Sequence, residues 1–176
     1  AYDGLKVPSI VTLPGMAERT VICDGFSKTY AMTGWRLGYG IMPEALAERV
    51  GLLLTHSIGC TASFTQVAGI EALHGPQDQV DAVVAEYQRR RNMLVAGLNR
   101  IPGWRCRMPQ GAFYVFPNIT ATDKSSAWWE DFLLDQAGVG VLSGAAFGAN
   151  GEGYLRLCFA DSMENLSEAV DRIADA

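Results

Sequence analysis

The sequence has no long hydrophobic run. None of its 176 residues falls in an apolar stretch approaching the ~20 residues that a membrane-crossing helix needs. The opening stretch, AYDGLKVPSI, lacks the basic region and apolar core of a signal peptide. It also lacks an initiator Met, so the chain reads as processed or cut from something longer. Positive charge is scarce, with 14 Lys and Arg against 19 Asp and Glu and a net charge of −5. That balance excludes the clustered surplus of cations that nucleic-acid binding requires. The one dense basic run, Arg89-Arg90-Arg91, lies in a helical pattern and reads as a solvated helix face rather than a polyanion site. There are two histidines and four cysteines, Cys23, Cys60, Cys106 and Cys158, with no C-x-x-C pair, so no zinc-site spacing exists. The thiols read as reduced and mostly buried, which suits a cytoplasmic protein. Internal repeats and low-complexity segments are also missing.

What is present is apolar substance, 49% of the residues, enough for a sizeable core. Thr20-Val21-Ile22-Cys23 reads as a buried strand running into a turn at Asp24-Gly25, and Leu37–Ile41 as a second strand. Pro43 opens a helix with Leu46, Val50 and Leu53 on one face. A second helix fits Ser63 to Leu73. A third and longer one opens at Pro76 and stops at Pro102-Gly103, with Val80, Val84, Tyr87, Leu94, Leu98 and Ile101 as its stripe. From Trp104 the pattern changes to a β-β-α-β-β-α module. Its strands are expected at 104–108, 112–116, 139–142 and 154–159. Its helices are expected from Ser125 or Ser126 to Ala137, with Gly138 as the stop, and from Asp161-Ser162, where Asp161 and Glu164 form a capping box. The expected division is residues 1–80 and 81–176, with the boundary in the long helix.

The stretch "GFSKTYAMTGWRLGYG", residues 25–40, is chemically unusual. Lys28 lies among Gly25, Ser27, Thr29, Ala31, Thr33 and Gly34, in the connection between the first two strands. Open α/β sheets place ligand sites at strand ends of this kind. A lysine amine attacks a carbonyl only when unprotonated, a state that desolvation or a nearby cation favours. Small neighbours leave room for a ligand, Ser27 and Thr29 offer hydroxyls, and Arg36 can grip a phosphate with its planar fork. A lysine nucleophile beside a phosphate cradle is what pyridoxal phosphate (PLP) requires.

The full string resembles the lysine signature of fold-type I aminotransferases of classes I and II, the aspartate-aminotransferase-like superfamily. The resemblance continues in "SFTQVAGIEAL" (63–73), "PQGAFYVFP" (109–117), "GVGVLSGAAFG" (138–148) and "GYLRLCFA" (153–160). It implies an α/β fold, the C-terminal part of a PLP-transferase fold-type I subunit. Residues 1–80 would be the end of the large-domain sheet, and residues 81–176 the α/β small domain. It implies that Lys28 forms a Schiff base with PLP and acts as catalytic base and acid. Arg36 would hold the cofactor phosphate with Ser27 beside it, and Arg156 would bind the substrate α-carboxylate. An arginine between Leu155 and Leu157 in an apolar strand points the same way, because an unpaired guanidinium there would be costly. Ser143 and Phe147 fall in a loop that enters the site. Phe113 or Tyr114 is a candidate for lining it, and His56 and His74 read as helix-end residues.

The implied activity is amino-group transfer between an amino acid and a 2-oxo acid, with aspartate or an aromatic amino acid as default substrate. The implied assembly is a homodimer, with no nucleic acid, membrane or metal involved. The alternatives are a PLP-dependent β-C–S lyase of the same fold and a PLP-binding sensor domain of a transcriptional regulator. Family members carry, N-terminal to this region, an aspartate paired with the pyridinium nitrogen and further ring-contacting residues. Asp3 and Asp24 do not sit in that motif. The 176-residue chain alone is therefore expected to be inactive, or nearly so.

Overall fold

A computed structural model describes all 176 residues, Ala1–Ala176. Helices and small sheets alternate in an α/β arrangement, and no helix is long and apolar enough to cross a membrane. The chain divides into two compact units, Lys6–Asp81 and a second made of Ala82–Ala176 together with Ala1–Leu5. The division falls inside one helix, α3 (Asp78–Leu98).

In the unit Lys6–Asp81, β1 (Ile22–Gly25) pairs antiparallel with β2 (Gly38–Ile41), in register from Ile22↔Ile41 to Gly25↔Gly38. The first strand starts two residues later than the sequence suggests, and it is not buried: Val21 is exposed and neither strand has a fully buried residue. Two strands make no enclosed layer of their own. Cover comes from α2 (Ser63–His74), which approaches closely because Gly69 lacks a side chain; a Cβ there would stand 2.5 Å from Leu37 Cδ2. The fully buried residues of this unit are Phe26, Met32, Thr65 and Gly69. Helix α1 (Glu44–Ser57) starts after Pro43, whose carbonyl accepts from the amides of Leu46 and Ala47. Its expected apolar face finds no cover, since Leu46 and Leu53 are exposed and no α1 residue is buried.

In the second unit β3 (Tyr114–Val115), β5 (Leu155–Cys158) and β4 (Leu142–Ser143) form an antiparallel sheet in the order β3-β5-β4. One face carries the core: Val115, Leu155 and Leu157 pack with Phe159, with Leu94 and Leu98 of α3, and with Leu166, Val170 and Ile173 of α5 (Met163–Asp175). Helices α3 and α5 touch at Gly97, where a Cβ would lie 2.7 Å from Val170 Cγ1. Helix α4 (Ser126–Phe132) is capped by Ser125, whose hydroxyl accepts from the Trp128 amide, and continues as a π-helical turn to Ala137. Gly138, left-handed at φ 64°, stops it.

The strands are shorter than their sequence patterns for local reasons. Ala112 is left-handed at φ 60°, which delays β3 to Tyr114. Val139 gives its amide to Leu133 at the helix end, so the 139–142 segment reaches the sheet only at Leu142. Residues 104–108 join the sheet through a single bridge, Arg105↔Asn118, although their alternation survives, with Trp104 and Cys106 buried and Arg105 and Arg107 exposed. Ser162, not Asp161, caps α5, its hydroxyl accepting from Asn165 N at 3.1 Å, while Asp161 Oδ1 accepts from Asn165 Nδ2 at 2.9 Å; Glu164 has no part in the cap.

Two expectations about side chains are overturned. Only Cys106 of the four cysteines is buried; Cys23, Cys60 and Cys158 are exposed. Of the basic run, Arg89 and Arg90 pair with Glu86 as a helix face does, but Arg91 is only 2% exposed. Its guanidinium donates twice to Asp3, at 2.8 and 3.0 Å, donates to Pro109 O, and lies 4.7 Å from the Tyr2 ring centre. This cluster holds residues 1–5 on the C-terminal unit, aided by the Tyr2 amide donating to Gln110 O and the Tyr2 hydroxyl to Ala112 O. The Arg91 guanidinium in turn holds the Asp3 carboxyl below its usual range.

Candidate functional site

The connection from β1 to β2 is built on two apolar anchors. Phe26 and Met32 are 4% and 8% exposed, and they fix the ends of a turn that carries Ser27, Lys28 and Thr29. Tyr30 and Met32 both donate their amides to Phe26 O, Ala31 donates to Lys28 O, and Phe26 donates to Leu37 O where the strands close. The chain then makes a single 3-10 turn, Thr33–Trp35. Two non-glycine residues of this connection, Ala31 and Arg36, are left-handed at φ 52°. Each such residue costs about 1–3 kcal/mol, and strain of this kind collects at sites of function. Arg36 donates through Nη1 to Thr33 O at 2.9 Å, which leaves the rest of its fork to be satisfied from outside.

Lys28 and Arg36 are both exposed, and Ser27 is half-buried. Arg36 lines an open hollow of about 570 Å³ with Ala31, Gly34, Trp35, Thr61 and Phe64. No atom lies within 4 Å of where a Cβ would stand on Gly34, so the wall is bare there. Lys28 and Ser27 do not line that hollow, but they share its connection. An amine, a guanidinium and hydroxyls in one short segment with open space around them are the donor set that suits a ligand bearing an aldehyde and a phosphate.

In the C-terminal unit Arg156 occupies the central strand, β5. The residues on either side of it, Leu155 and Leu157, point into the core, so Arg156 stands on the outer face. Its guanidinium carbon is 4.6 Å from the Tyr114 ring centre and 4.4 Å from that of Phe147. Neither ring supplies a hydrogen-bond acceptor to its N–H groups, and no carboxylate pairs with it; the chain's ion pairs use Arg89, Arg90, Arg91 and Arg172. Two π faces orient the fork and leave its donors for an anion.

Phe147 reaches this position because its loop is tied down from below. The buried Ser143 and Ser126 hydroxyls are 2.7 Å apart; Ser126 donates through both N and Oγ to Glu152, at 2.9 and 2.7 Å, and Ser143 N donates to Glu130 at 2.9 Å. The two bonds from Ser126, the hydroxyl's first, lower the Glu152 carboxyl from its ordinary value. Gly144 and Gly151 meet backbone to backbone, and a Cβ on either would lie within 2.1 Å of the other's carbonyl oxygen. Ser143 is therefore a support of the loop, whereas Phe147 faces the arginine. Phe113 packs inward on Tyr87, and Tyr114 underlies Arg156. His56 and His74 occupy the last turns of α1 and α2. The ties through Glu130 and Glu152 had no sequence signal; the paired glycines at 144 and 151 were the only hint of a close backbone approach.

A model of the family described as aminotransferase class I and II matches residues 1–173. The chain belongs to the class I and II aminotransferases. It is 45% identical over 176 residues to an aspartate aminotransferase of Pyrococcus horikoshii, covering 99% of this chain and 44% of that protein. It is 42% identical over 174 residues to aromatic-amino-acid aminotransferase 2 of Thermococcus litoralis, covering 98% of this chain and 44% of that one. The crystal structure of an aromatic aminotransferase from P. horikoshii matches with a TM-score of 0.94 at 40% identity, over 99% of this chain and 47% of that chain. This aminotransferase chain thus has the fold of its relatives and spans a little under half the length of the curated proteins it matches. PLP is the cofactor of the family in general.

Proposed function

We propose that the protein carrying this chain is a PLP-dependent aminotransferase that moves an amino group between an amino acid and a 2-oxo acid. Aspartate and aromatic amino acids are the first substrates to test, after the names of its relatives. The observation that carries the reading is the single connection holding Lys28 and Arg36, braced by Phe26 and Met32, within a chain that belongs to this family. In this reading Lys6–Asp81 is the C-terminal part of the cofactor-binding domain, and Ala82–Ala176 with Ala1–Leu5 is the small domain.

Arg36 and the Ser27 hydroxyl would hold the cofactor phosphate, and Lys28 would hold its aldehyde until the amine of the incoming amino acid takes its place and frees the lysine. PLP, when bound, supplies an electron sink next to the substrate's Cα. Arg156 binds the α-carboxylate through its fork, held in place by Tyr114 and Phe147. The Lys28 amine removes the Cα proton of the amino acid and, on the 2-oxo acid, returns one to the same carbon. The whole protein works as a homodimer in a reducing, cytoplasmic compartment. The unpaired thiols fit that compartment. The uncovered apolar side chains of α1 and α2, among them Leu53, Phe64, Val67 and Ile70, are surface for further polypeptide to cover.

The test is turnover with amino-acid and 2-oxo-acid pairs. Lys28→Ala is expected to reduce it to background, and Arg156→Gln to lower kcat/KM about a hundredfold, chiefly through KM. An amino acid alone should shift the absorbance spectrum without releasing pyruvate; pyruvate release would identify a lyase instead. The 176-residue chain by itself should turn over poorly, because Lys28 and Arg36 stand open to water and this chemistry needs a closed site.

A further inference from the structure

We propose that Glu152 and Ser126 form a clasp that sets how tightly Arg156 holds a carboxylate, as positioning residues that act through Phe147. The inference rests on reading Arg156 as the ligand of the substrate's α-carboxylate.

Burial does not place Phe147. Its side chain is 50% exposed, and its ring meets Phe116 edge-on at 6.2 Å and the Arg156 guanidinium at 4.4 Å. The segment that carries it, residues 143–152, includes Gly144, Gly148 and Gly151, with Gly148 at φ 114°. A segment this rich in glycine samples many backbone states unless its ends are fixed. The position of the ring over Arg156 therefore depends on what closes the segment.

One hydroxyl joins the two ends. Ser126, the first residue of α4, is 0% exposed, and its amide and hydroxyl donate to the two carboxylate oxygens of Glu152, at 2.9 and 2.7 Å. A serine hydroxyl has a single proton, and here the carboxylate takes it. Across the 2.7 Å between Ser126 Oγ and Ser143 Oγ the donor is therefore Ser143. The charge of Glu152 thus orients a chain of two hydroxyls that runs from Ser143, at the start of the segment, to Glu152 at its end. Glu130, one turn further along α4, accepts from the Ser143 amide at 2.9 Å. With both ends closed on α4, Gly144 and Gly151 lie backbone to backbone, and Phe147 stands midway between them, over Arg156. Opening the clasp frees that ring. The guanidinium then keeps Tyr114 alone, at 4.6 Å, so its fork swings more widely and water reaches it. A carboxylate must then order the fork, and it binds a better-hydrated cation.

The test titrates butyrate into the chain by nuclear magnetic resonance, with no cofactor or turnover. It has two readouts: the butyrate Kd, and the chemical shifts of the Arg156 side-chain protons, which the two flanking rings shield. Glu152→Ala and Ser126→Ala should each raise the Kd roughly threefold to fivefold. Each should also move the Arg156 protons downfield, toward their positions in Phe147→Leu. Glu152→Gln keeps an acceptor for the Ser126 amide and should recover part of both effects. In a Phe147→Leu background, Glu152→Ala should change neither readout further. Unchanged affinity or unchanged Arg156 shifts in Glu152→Ala, or an equal loss of affinity in the Phe147→Leu background, would overturn the clasp. If Arg156→Gln binds butyrate as well as the unsubstituted chain does, or neither binds it, the α-carboxylate role fails instead, and the Arg156 shifts still report whether the clasp places Phe147. Unchanged dispersion of the α3 and α5 amides verifies the fold of each variant. If Ser126→Ala loses that dispersion, Glu152→Ala and its glutamine rescue decide alone.

Discussion

Raising the pH should loosen the C-terminal unit through one thiol. Cys106 is 5% exposed, and burial pushes its pKa up from 9.0 to about 11 against a smaller lowering by the Phe116 backbone; its Sγ donates to Arg107 O at 3.6 Å. The folded state favours the protonated thiol. Below pH 9 the thiol is protonated in both states and its contribution is constant. Between pH 9 and about 11 the unfolded chain releases the proton and the folded chain keeps it, so stability falls as pH rises. The full gap of about two pH units corresponds to about 2.7 kcal/mol, and linkage places about 1.4 kcal/mol of that loss at pH 10. The assay is urea unfolding under reducing conditions at pH 7.5, 9 and 10, followed by the fluorescence of Trp104 and Trp129, which pack edge-on at 5.5 Å in this unit. Tyrosines and lysines titrate equally in a Cys106→Ala control, so the difference between the two proteins isolates the thiol. Cys106→Ala should be the less stable protein at pH 7.5 and should close that gap by about 1.4 kcal/mol at pH 10. A gap unchanged with pH would refute the assignment of Cys106 as a buried, proton-retaining thiol.

Two further perturbations address the packing that supports the site. Arg91→Ala should destabilise the C-terminal unit by about 2–4 kcal/mol, since it removes a buried guanidinium and its stem, and amide exchange should show residues 1–5 released. The Asp3 carboxyl is held below its ordinary 3.8 by Arg91, so its contribution is present above that pH and is lost as pH falls through the lowered value; Asp3→Asn should flatten the acid limb of the stability curve. Gly97→Val, whose Cβ would meet Val170 Cγ1 at 2.7 Å, should cost about 1–3 kcal/mol through overpacking of α3 on α5, measured as a lowered urea midpoint with unchanged m-value.

The elements that were legible in the sequence are those whose determinants are local. The α2 boundaries, the Ser125 cap and the Gly138 stop follow from residues within one turn of where they act. The connection that carries Lys28 and Arg36 was legible as a connection because its small and polar residues separate two apolar runs. What the sequence hid depends on distant partners. Arg91 looked like its neighbours Arg89 and Arg90, and only the carboxylate of Asp3, 88 residues away, explains why it is buried. The strands at 104–108 and 139–142 had good alternation, yet their backbone groups bond elsewhere or end early. The covered faces expected for α1 and β1 are not found: neither element has a fully buried residue, and Val21, Leu46 and Leu53 are exposed. Phe147 packs against Arg156, while the serine and glutamate ties that aim its loop come from three separate segments.

Lys28 as the cofactor anchor is the central claim, and the chain's lysine content makes it sharply testable. There are three lysines, Lys6, Lys28 and Lys124. Protein loaded with pyridoxal phosphate should absorb above 400 nm, lose that band on borohydride reduction, and carry the reduced label on the peptide containing Lys28. Lys28→Ala should take no label there and show no band. Label on Lys6 or Lys124 in place of Lys28, or a band that persists in Lys28→Ala, would contradict the account.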